Sequence, residues 1–141
     1  MKLKKLLSIL LAVALVLAMS VSVSASKRVD VNGEIVIGTL EWSGIPKETE
    51  YLAATMKMRI SDPAYILTAT VSGVFTPNSA APGVAFNYPP QTLSGPNGPG
   101  GLGVRIHVDN AYWIQGDGDY VARYGDQYNH QHETKYWNVQ L

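Results

Sequence analysis

The sequence predicts an all-β fold: a single antiparallel β-sandwich, or a small barrel, placed after an N-terminal signal helix. Three observations predict it. Apolar residues alternate with polar ones in several short runs, and turn residues separate those runs. The apolar positions favour Val, Ile, Thr and Tyr, which suit a pleated surface.

The first 25 residues carry a positive start at Lys2, Lys4 and Lys5, an apolar run from Leu6 to Met19, and small residues at Val23-Ser24-Ala25. That order is the pattern of a secretory signal peptide cleaved after Ala25. The expectation is therefore a leader over 1–25 and a secreted β domain over 26–141, extracellular or held at the cell surface. Ser20, Ser22 and Ser24 suit a peptidase cleft better than a helix crossing a bilayer, so no stable membrane insertion is expected after cleavage.

Val29, Val31, Ile35, Ile37 and Leu40 then alternate around Asn32-Gly33, a strong hairpin signal, which predicts strands near 27–31 and 34–42. Residues 48–60 fit two periods. Leu52, Ala54, Met56, Met58 and Ile60 alternate as a strand, while the early glutamates and late Lys57 and Arg59 would suit a helix dipole. The turn at Ser61-Asp62-Pro63-Ala64 and the β-rich run from Tyr65 to Thr76 decide for strand, because that run needs a partner.

The stretch 77–103 holds six of the eight prolines and six of the thirteen glycines. It reads as a long Pro/Gly-rich loop whose one apolar island, Val84 to Phe86 with Tyr88 just beyond, could dock on the body or add a short edge strand. Val104, Ile106 and Val108 predict another strand, continued by Ala111 to Gln115 past a kink. Gly116-Asp117-Gly118-Asp119 reads as a turn, and the segment from Tyr120 onward as the last strands. The total is seven or eight strands.

Composition excludes several functions. The chain balances 11 basic against 11 acidic residues, and losing Lys2, Lys4 and Lys5 leaves eight against eleven, a net charge of −3. Such a balance gives no basis for nucleic-acid binding. The absence of cysteine removes thiol nucleophiles, thiolate metal sites and disulfides, so the fold must rest on packing. No GxSxG, HExxH, phosphate-binding loop or dinucleotide fingerprint occurs, and no cofactor is implied.

What remains is an aromatic-rich C-terminal region. Trp113, Tyr120, Tyr124, Tyr128, Tyr136 and Trp137 are candidate ligand-binding residues. Tyr120, Tyr124, Tyr128, His132 and Tyr136 are four apart, a spacing that a strand keeps on one face and a helix spreads by about 40° per step. Tyrosine and tryptophan rings offer apolar area with a polar edge, which suits a polysaccharide or a cell-surface protein. His130 and His132 form an HxH pair that a strand would project to one side as two candidate metal ligands, with His107 as the third histidine. These residues imply an exported, non-enzymatic binding or surface-interaction protein. The competing readings are a small exported effector or antimicrobial toxin, and a secreted hydrolase or metal-binding protein that uses the histidines.

Overall fold

Alternation of burial decides the architecture. Along Tyr65–Pro77 every second side chain, from Tyr65 through Leu67, Ala69, Val71 and Gly73 to Phe75, is buried, so one face of this strand must meet a second layer. The computed structural model describes residues 26–45, 49–77, 85–108 and 111–138. In chain order the strands are β1 (Lys27–Arg28), β2 (Val36–Ile45), β3 (Thr49–Met58), β4 (Tyr65–Pro77), β5 (Phe86–Pro96), β6 (Leu102–His107), β7 (Ala111–Tyr124) and β8 (Gln127–Asn138). They form two antiparallel four-stranded sheets, ordered β1-β2-β3-β6 and β5-β4-β7-β8. Their inner faces share one core in a sandwich-like arrangement, with Leu40, Leu52 and Met56 from one sheet against Leu67, Phe75, Ile114 and Tyr120 from the other. The described residues contain no helix, and the leader expected over 1–25 lies outside them.

Local chemistry explains most strands. Asn32 and Gly33 both take positive φ, 52° and 75°, and Val31 bridges Glu34, so the Asn-Gly pair makes the tight turn expected of it. The Asn32 side chain then donates to the Tyr65 hydroxyl at 3.0 Å, tying this turn to the opposite sheet. The ambiguous 48–60 segment is a strand. Leu52, Ala54, Met56 and Met58 are buried, and β3 pairs with β2 along its whole length and with β6 from Tyr51 to Met56. A central strand satisfies its backbone on both sides, which outweighs the helix-like placement of its charges.

Three expectations fail. The run Ala111 to Gln115 does not continue the strand of Val104 and Ile106, because β6 pairs with β3 while Ala111 begins β7, which pairs with β4 in the other sheet. The Pro/Gly-rich stretch 77–103 is not one long loop, because Phe86–Pro96 is a strand paired with β4 and Leu102 already begins β6. Proline is tolerated in β5 because it is an edge strand. Its outward backbone positions need no donor. A bulge opposite Ser72, between Val71 and Gly73, accommodates Pro89 and Pro90. Tyr88 anchors the strand edge-on to Phe75, with ring centroids 4.7 Å apart.

Nor is Gly116-Asp117-Gly118-Asp119 a turn. It lies in the middle of β7, paired with both β4 and β8. Its glycines face the core, where they make room for large neighbours. A Cβ at Gly116 would lie 2.9 Å from Leu52 and from Trp137, and one at Gly118 would lie 2.6 Å from the Tyr120 hydroxyl. The aspartates take the alternate, outward positions.

Tyr120, fully buried, also fills the space above Gly38 of β2, where a Cβ would collide with its ring. Gly38→Ala is therefore expected to lower stability by about 1–3 kcal/mol through overpacking. Gly98→Ala, where a Cβ meets nothing within 4 Å, should change stability by less than about 0.5 kcal/mol. Urea unfolding midpoints of the two variants check this difference.

Candidate binding face

The β7–β8 hairpin sorts the candidate aromatics by strand parity. Turning at Gly125 and Asp126, it pairs Tyr124 with Gln127 and Tyr120 with Gln131. The four-residue spacing therefore does not keep the tyrosines on one face. Tyr120 is in the core, Tyr124 packs on it with its ring 4.5 Å from that of Tyr65, and Trp137 faces inward over Gly116. Those three residues are not on an open surface. Reversal of direction at the turn changes the phase, and no residue-counting rule on a single strand would reveal it.

Trp113, Tyr128 and Tyr136 lie on the outer face of β5-β4-β7-β8. Tyr128 and Tyr136 are about two-thirds exposed, and Trp113 is half-buried with its ring centroid 6.1 Å from that of Tyr136. Along β8, His130, His132 and Thr134 stand between the two tyrosines. Eight residues of strand separate Tyr128 from Tyr136, roughly 27 Å.

Register places acids beside these polar groups. Asp119 opposes His132, and Asp117 opposes Thr134. His130 Nε2 and His132 Nδ1 lie 2.9 and 3.0 Å from the same oxygen, Asp119 Oδ1. The Thr134 hydroxyl donates to Asp117, and His132 Nε2 is 3.2 Å from Thr134 Oγ1. The single Thr134 hydroxyl proton is thus directed at Asp117, and the His132 ring is held between Asp119 and Thr134. Farther across the face, hydroxyls pair in rungs: Thr68 with Ser94 at 2.8 Å and Thr70 with Thr92 at 2.9 Å. Since Thr70 also opposes Asp119, one row runs Thr92, Thr70, Asp119, His132 across all four strands.

The HxH pair does project to one side, as a strand requires. Three of its four ring nitrogens are directed at carboxylate and hydroxyl oxygens, and among the described residues no three His, Asp or Glu side chains are grouped to hold a metal ion. The third histidine, His107, is on β6 in the other sheet, with its ring centroid 6.2 Å from that of Tyr51. The three histidines therefore do not converge.

Beneath the face lies a charged cluster that the sequence did not signal. Tyr120 donates to the buried Glu133 at 2.6 Å, and Lys135 Nζ lies 3.9 Å from Glu133 while donating to the Leu40 carbonyl at 2.9 Å. Burial, reinforced by the hydrogen bond to Glu133 and its charge, pushes the Tyr120 hydroxyl far above the ordinary tyrosine value of 10.0.

Comparison with protein families, curated proteins and solved structures gives no match to this chain.

A raised pKa stabilises the fold fully below the unfolded value and loses that contribution as pH climbs above it. Wild type should therefore lose stability above about pH 10 more steeply than Tyr120→Phe, whose ring cannot ionise. Phenolate absorbance of the folded proteins should also superimpose through the ordinary tyrosine range. A variant that lost one tyrosine's share of the amplitude would show that Tyr120 titrates freely.

Proposed function

We propose that the protein is exported and acts as a non-enzymatic binding protein that holds an extended glycan on the outer face of β5-β4-β7-β8. The observation that carries this reading is the paired Trp113 and Tyr136 rings on an open strand face, continuous with His130, His132, Thr134, Asp117 and Asp119. Tilted rings give a sugar an apolar surface to stack on, while the adjoining side chains offer donors and acceptors for its hydroxyls. A face about 27 Å long with Tyr128 at its far end suits a linear chain better than a single small molecule.

One observation favours a hydrolase. Asp119, His132 and Thr134 form a carboxylate–imidazole–hydroxyl relay. A nucleophile must give its proton to the imidazole, however, and Thr134 directs its proton at Asp117. The relay is thus better suited to fixing the orientation of polar groups for a ligand than to attack on one.

Trp113→Ala combined with Tyr136→Ser is expected to weaken retention on insoluble cellulose, chitin or peptidoglycan by about tenfold or more, equivalent to about 1.4 kcal/mol, with an unchanged thermal midpoint. Tyr124→Ser should instead lower the midpoint, because that ring packs on the core. Unchanged retention by the double variant, or retention of none of the three glycans by wild type, would exclude this face as the platform. Export is tested separately: the protein recovered outside the cell should begin at Ser26, as read by intact mass and N-terminal sequencing.

A further inference from the structure

The outer face of β1-β2-β3-β6 has a different chemistry. Small residues, Ala53 and Thr55 on β3 and Gly103 on β6, keep its middle low. Larger side chains rise at both ends. Two open clefts result, which share Thr55. One, of about 420 Å³, lies between Ile35, Ile37 and the cations Lys57 and Arg59. The other, of about 320 Å³, is bounded by Tyr51 and Arg105.

Lys57, Arg59 and Arg105 are all exposed, and none of them belongs to an ion pair among the described residues. Arg28, by contrast, is neutralised by Asp30. Arg105 is oriented without being neutralised, since its guanidinium sits 5.3 Å from the Tyr51 ring centroid. Glu41 shares a register row with Ala53 and Arg105, its backbone two strands or about 10 Å from that of the arginine, and forms no ion pair with it. The region 26–141 carries a net charge of −3, so three uncompensated cations on one face stand against the sign of the rest.

We propose that this face is a second binding face, for a linear anionic polysaccharide of the polyuronate kind. Ala53, which opposes Arg105, lies six residues before Arg59, the first residue past β3, roughly 20 Å of extended chain. A single small anion cannot meet both ends, whereas a chain with carboxylates at regular intervals can. The floor of threonine, alanine and isoleucine between the cations suits the hydroxyls and ring carbons of sugars. The aromatic rings of this face give bases little to stack on, because Arg105 covers Tyr51 and His107 stands edge-on beside that same ring. The proposal concerns the opposite side of the sandwich and stands independently of the function assigned to the Trp113 face.

The test uses polygalacturonate as probe, neutral dextran of matched length as control, and the protein from Ser26 onward. Wild type should bind polygalacturonate and not dextran. Binding should fall at least tenfold in about 0.5 M salt, where charges are screened within a few ångströms. Combined Lys57→Gln, Arg59→Gln and Arg105→Gln should reduce it at least tenfold at low salt, whereas Trp113→Ala with Tyr136→Ser should leave it unchanged. Arg105→Gln alone serves as the second variant should the triple variant fold poorly, and is expected to weaken binding severalfold. Absence of polygalacturonate binding, or equal binding by the charge variants, overturns the proposal. So does a single-stranded oligonucleotide that binds through the same cations when polygalacturonate does not.

Discussion

The contact on which the rest depends is that of Tyr120 with two glycines and a carboxylate. Its ring occupies the space above Gly38 from the opposite sheet and rests beside Gly118 on its own strand, and its hydroxyl reaches Glu133 on β8. This one side chain therefore joins β2, β7 and β8. Removing the phenol would leave Glu133 buried beside Lys135 without its closest donor, and a buried carboxylate stripped of a partner costs far more than the bond itself contributes. Because strands alternate strictly, fixing Tyr120, Gly118 and Gly116 inward fixes Asp117 and Asp119 outward. The polar row on the surface is thus a consequence of packing in the core.

The same alternation explains how far the sequence could be read. The strands on either side of the Asn32-Gly33 turn, the run from Tyr65 and the strand of Val104 and Ile106 declare themselves through period two or turn chemistry, whereas Leu52 to Met58 also fits a helix and is decided by the run that must pair nearby. Gly116 to Asp119 did not declare themselves. Glycine and aspartate favour turns locally, and only the bulk of Leu52 across the core, of Trp137 on the next strand and of Tyr120 on β7 itself makes small inward residues fit a strand here. Proline misled in a similar way at β5, where the edge position makes its missing donor harmless.

The surface was legible only in part. Trp113, Tyr128 and Tyr136 face outward, whereas Tyr120, Tyr124 and Trp137 pack inward, and the division follows from strand parity and the turn at Gly125. The pairing of His130 and His132 with one aspartate oxygen depends on the register between β7 and β8, which no spacing within either strand contains. The segregation of Lys57, Arg59 and Arg105 from the row of Asp117 and Asp119 likewise needs both sheets to be placed before it can be seen. The sequence's near-neutral balance conceals two faces of unlike polarity.

The prolines of β5 have a further consequence. A sheet grows sideways when another chain can zip its amides onto an uninterrupted edge, and cysteine-free β proteins have no covalent clasp to limit such growth. Pro89, Pro90 and Pro96 lack amide hydrogens, and the bulge beside the first two bends the edge they lie on. This border is a broken template for cross-β pairing. The composition that resembles a linker in one dimension acts as a terminator of polymerisation in three.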